Sequence, residues 1–144
     1  MSDHRARRAP LHPDISEALV ETIVYRFYDR VRADAELGPI FAQAIGDDWD
    51  EHLGKMCDFW SSVTRMTGRY KGRPLPAHMR LKAIRPDHFE TWLSLWKATV
   101  SQEAPGEAGA VFIGAAERIA GSMQAALFFR AADHAPQSST GHGA

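Results

Sequence analysis

Cysteine occurs once, at Cys57, so no disulfide can form within the chain, and nothing marks it as a stapled secreted domain. Long apolar runs are missing as well. No stretch nears the roughly 18 apolar residues that read as a membrane-spanning helix. The N-terminal MSDHRARRAPLHPD lacks the apolar centre of a signal peptide. Neither sign of charge is in excess: 17 Lys and Arg face 18 Asp and Glu. That balance provides no broad basic face, so a nucleic-acid partner is not expected. The expectation is a cytoplasmic chain with no membrane contact. Several catalytic signatures are also absent, among them G-x-S-x-G, the P-loop, H-E-x-x-H and C-x-x-C. Nor does any segment alternate apolar and polar residues over the length of a strand.

What is present is helical patterning. At 144 residues the chain is read as one domain at 14–132, with a flexible leader at 1–13 and a disordered polar tail at 133–144. Asp14 with Glu17 has the spacing of a capping box. A helix to about residue 33 follows, with Val20, Ile23, Val24, Phe27, Tyr28 and Val31 along one face. Leu37-Gly38-Pro39 is read as a break, and 39–46 as a short helical connector. A helix over 48–67 carries adjoining apolar rows that include Trp49, Leu53, Met56, Phe59, Trp60 and Val63. Glycines and Pro74 make 68–75 irregular, with one or two helical turns near His78. Pro86 starts a helix to about Glu103, and Pro105-Gly106 ends it. The last helix covers about 108–131. The fold class is therefore all-α.

Of seven histidines, His4, His12, His134 and His142 lie in the polar ends and are read as solvated. His52, His78 and His88 remain. His78 follows two prolines and precedes Met79, Leu81 and Ile84, a setting in which a neutral imidazole can bind iron. His52 shares a helix face with Met56 and Phe59, one polar ring in an apolar wall. A flat, metal-bearing cofactor needs a ligand on one face and polar groups on the other, which makes a heme the leading cofactor. Satisfied structural histidines, or a zinc site from His52, His78 and a carboxylate, are the alternatives. Cys57 lies mid-helix without a basic partner and reads as an inert thiol.

The strings FYDRV (27–31), ELGPIF (36–41), AIG (44–46), WDEHLGKMCDFW (49–60), Y-K-G-R-P-L-x-x-H (70–78) and FETWLSLW (89–96) resemble the group III truncated hemoglobins. The likeness spans about residues 15–130. It implies a two-over-two helical sandwich around heme b. His78 matches the proximal iron ligand, and Tyr28, His52 and Trp92 match the polar groups of the distal pocket. Phe41, Met56, Phe59 and Trp60 match residues that contact the heme. Lys55, Arg69, Tyr70 and Arg73 are candidate propionate partners by charge and placement.

The function so implied is binding of O2, NO, CO or other small diatomic ligands, with tight O2 binding rather than bulk transport. The alternative is a heme enzyme for nitric oxide dioxygenation or peroxide chemistry. That cycle needs a separate reductase, because the chain contains no flavin or nicotinamide motif.

Overall fold

The computed structural model describes residues 10–70 and 84–129. Five α-helices follow in order: α1 Glu17–Ala33, α2 Leu37–Ile45, α3 Trp49–Arg65, α4 Pro86–Glu103 and α5 Glu107–Gln124, closed by a π-helical turn at Ala125–Phe129. The described residues contain no strand, and no helix among them is long and apolar enough to cross a membrane. The turns expected around His78, most of the leader and the tail lie outside the described residues.

Local chemistry explains the helix limits. Ser16 caps α1, its hydroxyl accepting the Leu19 N–H at 3.1 Å. The capping box expected from Asp14 and Glu17 does not form. Asp14 lies outside the helix, and Glu17 accepts instead from Ser61 and Arg65, both at 2.9 Å. The Leu37-Gly38-Pro39 break is corrected too, because these residues form the first turn of α2. Asp34 makes that start, its carboxylate accepting the N–H groups of Glu36 (3.0 Å) and Leu37 (2.8 Å). Pro39 costs little there, since first-turn N–H groups lack intrahelical acceptors. Gly38 is needed for proximity: a Cβ would lie 2.7 Å from the Arg32 carbonyl oxygen. Helix α3 stops at Arg65, with Met66 left-handed at φ 60°. Helix α4 spans the expected Pro86–Glu103.

Helix α1 packs on α2, α3 and α4, and α4 packs also on α5. The pairs α1–α3 and α4–α5 make the two-over-two sandwich. At its centre each long helix contributes one ring. Trp96 of α4 is fully buried. It stacks on Trp60 of α3 at 4.3 Å and meets the edge of Phe27 of α1 at 4.9 Å. Phe112 of α5 is 6.3 Å away. The Trp96 indole N–H donates to the Phe112 carbonyl at 3.1 Å, so the buried donor is satisfied. Buried Thr64 and Thr99 donate within their own helices, to the carbonyls of Trp60 and Leu95.

Leu11 and His12, before α1, also pack into this fold. The Leu11 N–H donates to the Thr64 carbonyl at 2.8 Å. His12, expected to be solvated, is half-buried with Nε2 3.5 Å from Glu107. The aromatic centre leads to a prediction. W96A removes the ring shared by all four long helices and is expected to cost about 3–5 kcal/mol. Urea unfolding measures this, and a loss below about 1 kcal/mol would contradict the role assigned to Trp96.

Candidate functional site

A cleft opens where α2 faces the start of α4 and the end of α5. It is narrow, with room between its walls for about one water molecule. Leu37 and Phe41 line it from α2, Phe89 and Trp92 from α4, and Ile119, Ala120 and Met123 from α5, with Ile84 and His88 completing the wall. The lining is almost wholly apolar. The helical period explains the grouping. Phe89 and Trp92 are three residues apart on α4, as are Ala120 and Met123 on α5, so each pair shares a face.

Polar groups converge from other helices. Tyr28 of α1 is buried and packs its ring edge-on to Phe41 at 6.1 Å and to His52 of α3 at 5.0 Å. His52 meets Trp49 at 5.7 Å, and its Nε2 atom is shielded from solvent. The Arg32 guanidinium covers Trp49 at 4.3 Å. Trp92 stands parallel to Trp96 at 6.1 Å and edge-on to Phe27 at 5.6 Å, so the central rings hold it in place. Burial raises the Tyr28 phenol above its ordinary pKa, and the hydroxyl stays a donor. Neither the Tyr28 hydroxyl nor the Trp92 indole N–H is hydrogen-bonded to another described residue.

The structure thus brings Tyr28, Phe41 and His52 into one cluster and sets Trp92 in the cleft wall. The other sequence candidates lie apart from the cleft lining. Met56 and Phe59 are half-buried against the main core, and Trp60 is packed under Trp96. Lys55 is exposed and pairs with Glu51 at 3.2 Å. Arg69 pairs with Glu17 at 3.1 Å, and the Tyr70 ring meets Phe59 at 5.2 Å. His78 and Arg73 lie outside the described residues.

One residue of the wall went unassigned in the sequence. His88 is only 2% exposed and accepts the Arg85 backbone N–H through Nδ1 at 2.9 Å. The available signal was its position three residues after the helix N-cap, where a side chain can reach back to the cap N–H.

No protein-family model matches the chain. The chain is 33% identical over 117 residues to the group 3 truncated hemoglobin of Campylobacter jejuni, covering 79% of this chain and 92% of that protein. Its backbone is similar to the crystal structure of a group III truncated hemoglobin from Campylobacter jejuni, with a TM-score of 0.76 and 32% identity. That likeness covers 81% of this chain and 94% of that one.

Cys57 offers no competing chemistry. Burial pushes its thiol up to about 11 from 9.0, and the charges of Glu21, Asp58 and Glu17 add to the shift. At pH 8 this leaves about a hundredfold less thiolate than a thiol at 9.0 would have. The greater nucleophilicity of a more basic thiolate recovers part of that, leaving exchange about tenfold slower. Reaction with a disulfide reagent at pH 8 is expected to lag a free cysteine by at least this factor. A rate equal to that of the free thiol would contradict the assignment.

Proposed function

The chain belongs to group III of the truncated hemoglobins, and we propose that it is a heme protein whose cleft binds small diatomic ligands, O2 foremost. The observation that carries this reading is the pair of donors beside an apolar cleft. Tyr28 and Trp92 offer N–H and O–H groups that no described residue accepts, while the buried donors of Trp96, Thr64 and Thr99 are all satisfied. Donors left open at the edge of an apolar pocket suit a ligand that brings its own acceptor atoms.

The residues fit a heme. The cleft is apolar, as a porphyrin face requires, and Phe41 stands in its wall beside Tyr28. In this reading His78 is the proximal ligand, an assignment supported by the Y-K-G-R-P-L-x-x-H string. Bound there, the heme would supply the iron that takes up the diatomic ligand. Met56 and Phe59 would add apolar wall on the α3 side, with Trp60 behind them. Lys55 and Arg69 would have to share Glu51 and Glu17 to reach a propionate.

The distal residues act by donating hydrogen bonds. Tyr28 remains protonated because burial disfavours its phenolate. Trp92 has one N–H and no acceptor, so it can only donate. Its ring is held by Phe27 and Trp96, which limits the reorganisation needed when a ligand arrives. His52 meets the Tyr28 ring nearly at right angles.

A hydrogen bond to a partly charged ligand is worth about 1.5–3 kcal/mol. Removing one such bond speeds ligand loss by roughly 10- to 150-fold. Y28F and W92F are each expected to raise the oxygen off-rate by such a factor. Stopped-flow or laser photolysis measures it, and unchanged rates in both variants would overturn the donor assignment.

A further inference from the structure

His88 is buried at the third position of α4. Its Nδ1 accepts the Arg85 backbone N–H at 2.9 Å, while its own backbone N–H donates to the Arg85 carbonyl at 3.0 Å. An Nδ1 that accepts carries no proton, so the neutral ring holds its proton on Nε2. That nitrogen lies 3.5 Å from the Glu36 carboxylate, immediately before α2. The Arg85 guanidinium lies 3.9 Å from the same carboxylate and 3.2 Å from that of Asp87.

Glu36, Asp87 and His88 bring three donor atoms within 4.8 Å of one another, close enough to suggest a cation site. The ring proton argues against it. A metal on Nε2 would move the proton to Nδ1, where the Arg85 N–H already points. The Arg85 guanidinium also supplies the positive charge that the two carboxylates attract.

The imidazole therefore caps the first turn of α4 and faces the start of α2. These two turns lead into both walls of the cleft: Leu37 and Phe41 on one side, Phe89 and Trp92 on the other. Trp92 is four residues after His88, on the same face of α4. We propose that His88 is a positioning residue for the ligand pocket, setting the direction of the Trp92 N–H by locking the first turn of α4 against Glu36. The inference rests on the heme reading of the same cleft.

The test compares H88L, which cannot accept the Arg85 N–H, with H88N, whose Oδ1 can take the place of Nδ1. E36Q, a change at an exposed side chain, removes the charge opposite Nε2 and serves if H88L does not fold. Two signals are read in the full chain. One is the indole ¹⁵N–¹H resonance of Trp92, measured with and without added heme, with Trp60 and Trp96 as internal references. The other is the C–O stretching frequency with carbon monoxide as probe. H88L is expected to displace the Trp92 resonance and raise the C–O frequency, E36Q to do so less, and H88N, which accepts the Arg85 N–H but lacks Nε2, to restore both in part. Wild-type values in both H88L and E36Q would overturn the proposal. If H88L does not fold, wild-type values in E36Q alone would do the same. Wild-type protein that takes up no heme would refute the heme reading separately, and the Trp92 resonance would still decide the role of His88.

Discussion

Trp96 is the contact on which the rest of the structure depends. One indole touches rings from α1, α3 and α5 and closes its own N–H on an α5 carbonyl. Burying an aromatic ring of this size removes 150–250 Å² from water, roughly, and specific ring pairing adds about 0.5–1.5 kcal/mol. Its influence reaches the cleft directly. Trp92 lies parallel to Trp96 and meets Phe27 edge-on, so the core ends in a side chain of the cleft wall.

Hydrogen bonding separates the core from the site. Inside the bundle Trp96, Thr64 and Thr99 spend their donors on helix carbonyls. At the cleft Tyr28 and Trp92 do not. Neither donor atom is sealed from solvent, so both are open to a ligand that enters the cleft. The charged residues keep to the periphery, where Glu17 ties α1 to the end of α3 and Glu36 faces His88 and Arg85.

Much of this was legible in the sequence because long amphipathic helices announce themselves. The buried face of α1 is the row read from its spacing, and Pro86 marks the start of α4 where the structure has it. Where tertiary partners compete with local signals, the pattern misleads. Glu17 looks like half of a capping box, yet Ser61, Arg65 and Arg69 claim its carboxylate. Leu37-Gly38-Pro39 looks like a break, yet Asp34 caps it into a helix and Gly38 fits under the Arg32 carbonyl. The end of α5 passes into a π turn that a period of 3.6 cannot foretell. His88 was hidden because histidine is not a usual capping-box residue, and its approach to Glu36 spans 52 positions of chain. Tyr28, His52 and Trp92 come from three helices, so spacing alone could not group them; the structure pairs Tyr28 with His52, and their grouping with Trp92 rests on the motif likeness.

The central claim is that this cleft holds a heme bonded to His78. Titration of the heme-free protein with hemin, followed at the Soret band, tests it most directly when wild type and H78A are compared. Wild type is expected to form a saturating Soret complex that is lost or greatly weakened in H78A. A wild-type protein that stays spectrally silent, or an H78A variant that binds hemin as well as wild type does, would contradict it.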